Sequence, residues 1–363
     1  MFIREKEILM GSSNPTYDLP VAPETVALDD EAKQIVIIDQ TKLPGEIRLL
    51  RLSLVEEFYQ AIYLLQVRGA PAIGVFAAFA AYLLACSIKA DDFDTFYEEF
   101  TRQRDYLNSS RPTAVNLSWA LSRMDGVVLA NRNRPMGDIL AALKEEALLI
   151  RKEDEDACRA IGENALSLLK PGSGLLTHCN AGALATSRYG TATSAMYLGH
   201  ERGYGFHIYC DETRPLLQGA RLTAYELSAA GMDVTLLCDN MAGALMASGR
   251  IDAVLVGCDR VAANGDTANK IGTSVVATLA RHYGIPFYVC GPMSTIDASL
   301  KSGAEIPIEM RKPEEVTNMW YERPMAPEGI KVFNPAFDVT DHSLITAIIT
   351  EKGIFYPPWS FQP

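Results

Sequence analysis

Apolar and polar positions follow one rhythm in the first half of the chain and another in the second. Residues 35–39 (IVIID) and 47–53 (IRLLRLS) predict two short strands around the turn signal Lys42-Leu43-Pro44-Gly45. Helical spacing follows at 54–66, 72–88, 92–107 and 113–123. Residues 131–137 (NRNRPMG) predict a loop. Residues 138–170 predict one or two helices, whose exposed part, KEDEDACR, mixes charge signs as a solvated face does. Pro171-Gly172-Ser173-Gly174 ends that stretch. The residues before Ile35 read as a variable extension.

Beyond Gly174, short β-forming runs alternate with helix patterns. The runs lie at 174–179, 206–210, 234–238, 253–258 and 286–290, and the helix patterns at 190–202, 216–230, 240–249 and 271–283. This alternation predicts βαβ units and a parallel sheet. Near-continuous apolar strands fit a sheet covered on both faces. The expected fold is α/β. A strand-hairpin and helical domain is placed at 1–145, and a Rossmann-like parallel-sheet domain at 146–363. Gly69 to Ile88 is 20 residues without a charge, long enough to span a bilayer. Its alanines, Pro71 and Gly74 make it weakly apolar, and a buried core helix is expected instead of a membrane span.

Composition narrows the function. Hydrophobic residues at 48% and charged residues at 21% describe an ordinary globular protein. A net charge of -12 argues against sequence-independent nucleic-acid binding, which relies on Lys and Arg. A phosphate-bearing substrate then needs a local positive pocket. The seven cysteines are scattered, with no zinc-ligand spacing, which implies a reducing compartment and no metal centre. The opening MFIREKEILMGSS lacks the apolar region of a signal peptide, so a cytoplasmic location is expected.

In an open α/β sheet, chemistry gathers at the carboxyl ends of the strands. Those ends carry Cys179, Asp211-Glu212, Asp239, Asp259 and Gly291-Pro292. Cys179 is followed by small residues and then a helix, and successive backbone N–H groups in such a turn can favour a thiolate or an anion. His178 points to the opposite face from Cys179 and reads as a structural histidine. Asp259 ends the run AVLVGC. In an apolar pocket its carboxyl would hold a proton near neutral pH; the alternative is a loop acid satisfied by backbone amides. The Asn-Lys pair that follows it reads as part of a loop closing over the ligand. Arg68-Gly69-Ala70-Pro71 looks like a helix start suited to phosphate, and Arg111-Pro112-Thr113 repeats the idea. No GxxxxGK[ST] is present, and no GxGxxG follows a strand, so a nucleotide cofactor has no support.

Several motifs acquire meaning jointly: DQTKLPG (39–45), RGAPAIG (68–74), RPTAVN (111–116), THCNAGALAT (177–186), DETRPLLQGARLTAYEL (211–227), GCDRVAANGDTANKIGT (257–273) and NPAFDVT (334–340). Over roughly residues 35–358 the chain resembles the methylthioribose-1-phosphate isomerase family. That group also holds ribose-1,5-bisphosphate isomerases and regulatory subunits of translation initiation factor 2B. The resemblance implies an aldose-to-ketose isomerisation without metal or redox cofactor. It puts the catalytic cysteine on Cys179 and the catalytic aspartate, a proton donor, on Asp259. It puts substrate contacts on Arg68, Gly69, Ala70, Arg111, Gln218, Asn269 and Lys270, and it implies a homodimer.

A furanose locked by an anomeric phosphate cannot open as a free sugar does. An acid must protonate the ring oxygen, and a neutral Asp259 suits that task. The C2 hydrogen then reaches C1 through a base, for which Cys179 is the candidate, or directly as a hydride. The 5-substituent distinguishes the substrates: a thiomethyl or methyl group wants an apolar wall, and a second phosphate wants more cations. No surplus basic motif is present, which favours the apolar option. A regulatory subunit would have no need of both Cys179 and Asp259.

Overall fold

The computed structural model describes residues 24–111 and 115–361. Pro112, Thr113 and most of the N-terminal extension lie outside the described residues. Three antiparallel strands open the fold: β1 (Val26–Asp29), β2 (Gln34–Ile38) and β3 (Leu49–Leu52). β1 lies in the stretch read as an extension; it pairs with β2 from Val26↔Ile37 to Asp29↔Gln34. The helices α1 (Val55–Tyr63), α2 (Ala70–Ser87), α3 (Phe93–Asn108), α4 (Val115–Ala130) and α5 (Met136–Leu166) follow. α2 is long and apolar enough to cross a membrane, yet most of it is buried inside the protein, where Phe76 and Phe79 fill the first core.

The second half is built on β4 (Gly174–Thr177), α6 (Ser194–Glu201), β5 (His207–Asp211), α7 (Ala224–Ala229), β6 (Asp233–Leu237), α8 (Ala242–Ala247) and β7 (Ala253–Val256). A hairpin of β8 (Arg260–Ala262) and β9 (Thr267–Lys270) comes next, then α9 (Thr273–Tyr283) and β10 (Phe287–Cys290). Four further strands end the fold: β11 (Ile296–Asp297), β12 (Phe337–Thr340), β13 (Ala347–Thr350) and β14 (Gly353–Phe355). The expected parallel sheet is present. It has seven strands in the order β14-β13-β10-β7-β4-β5-β6, parallel except for β14. Alternate residues serve opposite faces: Leu175, Ile208 and Leu255 enter one core, and Leu176, Val254 and Val256 the other. The chain leaves β4 in one direction and later returns to its other side at β7. That reversal opens a crevice at the carboxyl ends.

A second sheet, β11-β8-β9-β12, sits above this crevice. It corrects the expectation of a loop after Asp259: Asn269 and Lys270 lie on β9. Helix α5 runs unbroken for 31 residues, and the division expected at 145–146 falls inside it. Ile139, Leu143, Ala147 and Ile150 pack in the first core, whereas Ile161, Ala165 and Leu166 pack against the parallel sheet.

Candidate active site

The loops after β4, β5 and β7, the start of α2 and strand β9 enclose a cavity of about 690 Å³. Cys179, Asp259, Arg68, Gly69, Ala70, Arg111, Gln218, Asn269 and Lys270 all line it. Residues up to 202 positions apart in sequence (Arg68 and Lys270) therefore meet at the carboxyl edge of the sheet.

Cys179 follows β4 with φ at 64°, a left-handed conformation that a β-carbon makes unfavourable. Its N–H donates to Thr213 Oγ1 at 2.8 Å, and Thr223 Oγ1 donates to its carbonyl at 2.6 Å. Thr213 is itself at φ 66°. Two strained residues thus brace each other at the cavity, as is usual where a site over-determines its backbone. Burial pushes the Cys179 thiol up, while Lys270 and Arg68 pull it down; the net direction is upward. Cys179 therefore meets a substrate as a thiol, and its deprotonation depends on those two cations.

Asp259 stands at the mouth of the hairpin, its N–H donating to Ala268 O at 2.9 Å. Among the described residues no N–H reaches its carboxylate, so the fold does not use it as a cap. Much of the side chain faces the cavity. The surrounding protein still strips away bulk water and pushes the carboxyl up against the pull of Lys270, Arg111 and Arg68. A carboxylic acid holding its proton above the ordinary range is what a proton donor requires.

The cations arrive from separate elements. Arg68 precedes α2 and donates to Asn180 Oδ1 and Asn180 O, both at 2.8 Å. Gly69, at φ 90°, lets that helix start press against the Cys179 turn; a β-carbon there would lie 2.5 Å from Ala185 Cα. Lys270 donates to Ala336 O at 3.0 Å and sits 4.6 Å over the Phe337 ring. Burial lowers its pKa, with Cys179 and Asp259 opposing. Arg111 is likewise pulled down by burial. Gln218 is buried, and its Oε1 has no partner among the described residues, which leaves an acceptor for a ligand hydroxyl. A π-helical turn follows at Gly219–Thr223, a distortion common at functional sites. Asn269 donates to Thr273 Oγ1 at 3.0 Å.

His178 is buried, with Nδ1 at 3.0 Å from Asp211 Oδ2 and Nε2 at 2.9 Å from Ile271 O. Both nitrogens are committed, in keeping with a structural histidine. Sequence reasoning missed Asn180, Thr213 and Thr223, although all three lie inside quoted motifs. It also missed Glu309 and Arg311, which line the cavity from a stretch without periodicity. Arg311 is paired with Glu309 at 2.8 Å and Glu315 at 2.5 Å.

With this geometry in place, comparison with known proteins becomes specific. Residues 66–357 match the Initiation factor 2 subunit family. The chain belongs to that family. Among relatives in the family, a methylthioribose-1-phosphate isomerase of Symbiobacterium thermophilum is 64% identical, with 94% of this chain and 95% of that one covered. A 5-deoxyribose 1-phosphate isomerase of Petrotoga mobilis is 57% identical, covering 92% and 96%. The crystal structure of 5-methylthioribose 1-phosphate isomerase from Pyrococcus horikoshii superimposes with a TM-score of 0.88 at 44% identity, covering 94% of each chain.

Proposed function

We propose that this protein is an aldose–ketose isomerase that converts 5-methylthioribose 1-phosphate to 5-methylthioribulose 1-phosphate, a step of methionine salvage. The observation that carries this reading is the pairing of Asp259, whose carboxyl burial pushes up, with Cys179 in one cavity beside Arg68, Arg111 and Lys270. Asp259 protonates the ring oxygen, and the C1–O bond to that oxygen breaks. The C2 hydrogen moves to C1, and the O2 hydroxyl gives up its proton, leaving a ketone at C2 and the phosphate on C1. Asp259, now a carboxylate, is the acceptor for that last proton. Fixed dipoles in a cavity of this kind act more strongly than in water.

The cations and the apolar wall also bear on the 5-substituent. Arg260 is paired with Asp297, and Arg311 with Glu309 and Glu315. Arg68, Arg111 and Lys270 have no ion pair among the described residues, which suits one phosphate. Leu65, Ile73, Trp119, Leu216 and Phe337 line the same cavity and suit a thiomethyl or methyl group better than a second phosphate. A one-group difference of that size is worth about 1–3 kcal/mol, so 5-deoxyribose 1-phosphate is the competing substrate.

The test offers 5-methylthioribose 1-phosphate, 5-deoxyribose 1-phosphate and ribose 1,5-bisphosphate side by side and compares kcat/KM. Ketose from none of them rejects the reading. Turnover in deuterium oxide bears on the route of the C2 hydrogen: deuterium at C1 marks passage through an exchanging base, the role for which Cys179 is the candidate, and none is expected from a hydride shift.

We also read the parallel sheet as Rossmann-like, from its strand order on either side of β4, and the two halves joined through α5 as two domains. A cytoplasmic homodimer completes the proposal. Exposed Leu236 and Met241, at the β6 edge and just beyond it, supply apolar surface for a second copy. Sedimentation as a monomer at micromolar concentration would reject it.

A further inference from the structure

We propose that Glu226, a residue outside the substrate cavity, is the positioning residue that holds Arg68 and the Cys179 turn in register through Asn180. Glu226 is buried on α7 beneath the turn that follows β4. Its Oε2 accepts from Leu184 N–H at 2.9 Å, and its Oε1 from Asn180 Nδ2 at 3.2 Å. The same Nδ2 donates to Thr223 Oγ1 at 3.0 Å, and that hydroxyl donates to the Cys179 carbonyl. Asn180 in turn offers Oδ1 and its main-chain oxygen to two N–H groups of Arg68. The guanidinium plane is therefore fixed by Asn180, and Asn180 by Glu226. The carboxylate is pressed against bare backbone: a β-carbon on Gly182 would fall 1.3 Å from Glu226 Oε1. The inference rests on the sugar-phosphate reading only in that Arg68 is taken to grip an anion.

The relay is sensitive to protonation. Both oxygens of Glu226 face N–H donors, so a proton on either one replaces an acceptor with a second donor and breaks a bond. Burial pushes this carboxyl up to about 7, against the opposing pull of Leu184 N–H, Arg68 and Asn180. The other groups around it are Tyr197 on α6 and Cys210 on β5, both neutral near that pH. Across a second cavity of about 430 Å³ lie Arg151 and Glu155 of α5, with Glu24, Arg188 and Glu201. Glu226 lines this second cavity, so its proton can exchange while the substrate cavity is filled. The ionised form holds Asn180, and through it Arg68, and the hold weakens as pH falls through about 7.

Sulfate tests this without turnover, because its charge is constant where phosphate titrates. Its affinity is measured by calorimetry between about pH 6 and about pH 8.5 for wild type, Glu226→Gln and Asn180→Ala. Wild-type affinity should fall about tenfold toward the acid end, the size of one charge-assisted hydrogen bond. Glu226→Gln should bind weakly with no such step. Asn180→Ala, which leaves Glu226 in place and keeps the proposal testable if the first variant does not fold, should also lose the step. A wild-type profile that does not differ in shape from that of Glu226→Gln, or a wild-type step retained in either variant, overturns the proposal. A wild type that shows the step but isomerises none of the three sugar phosphates leaves this inference standing and removes the isomerase.

Discussion

Asp259→Asn keeps the shape of the side chain and removes the proton it can transfer. In the native cavity the surrounding protein pushes this carboxyl up, and Lys270, Arg111 and Arg68 do not fully offset that push. That push favours the protonated form, whose shape and neutrality an amide shares, so substrate affinity should change far less than the rate. The barrier is another matter. A positioned general acid contributes about 10²–10⁴-fold, so kcat should fall by that factor, about 3–5 kcal/mol of transition-state stabilisation. The pH profile gives a second reading. Wild-type kcat/KM should decline as pH rises through the raised pKa, because the reacting form is protonated, and the amide variant should show no such limb.

Stability carries the same sign. The folded-state pKa lies above the unfolded one, so the native state holds its proton while the unfolded chain ionises. Wild type loses stability across that window as pH rises, and the variant does not. At about pH 8 the Asp259→Asn protein should melt at the same temperature as wild type or higher. The assay is ketose formation from 5-methylthioribose 1-phosphate over a pH series, with sulfate binding and thermal melts as checks on the fold. A rate within about tenfold of wild type on the acid side of that limb, or an alkaline limb that persists in the variant, would refute the acid role.

Three more substitutions probe the rest of the site. Cys179→Ser should lower kcat by at least about a thousandfold with an unchanged melt, and near-normal turnover would remove the thiol from the mechanism. Lys270→Ala should raise KM by about tenfold or more. Burial depresses Lys270, so the wild-type KM should itself rise as alkaline pH strips that charge, and a variant with unchanged KM and profile would show no contact with substrate. Gly69→Ala puts a β-carbon at φ 90° and 2.5 Å from Ala185 Cα, so it should destabilise by about 1–3 kcal/mol and weaken kcat/KM. A melt unchanged from wild type would mean that α2 does not press on the Cys179 turn.

Much of this site was legible because strand ends are legible. The apolar runs before Cys179 and Asp259 mark β4 and β7, and a parallel sheet aims both ends at one crevice. The Arg68-Gly69 helix start is local chemistry, visible in four residues. What escaped notice was non-local. The hairpin of β8 and β9 has Asn264-Gly265 at its turn, but its strands are only three and four residues long. It becomes a sheet only through β11 and β12, and Lys270 pairs with Phe337 across 67 positions. Helical spacing at 216–230 hid the π turn after Gln218. Glu226 sat unnoticed at the end of a quoted motif because its partner Asn180 lies 46 residues away.

Helix α5 has a consequence for how this molecule behaves as a body. At about 1.5 Å per residue it is a beam of about 46 Å, with one end embedded beside α2 and the other beside the parallel sheet. Hinged enzymes open by bending a few residues between lobes, whereas here the connector is a continuous helix with apolar contacts along both halves. Wide opening would have to break it, so ligand traffic falls to loops and side chains at the rim. Heating should likewise yield one transition, since neither half can melt without exposing the helix it shares. A cut inside that beam leaves two severed half-helices and two open cores, and neither fragment carries more than one wall of the cavity.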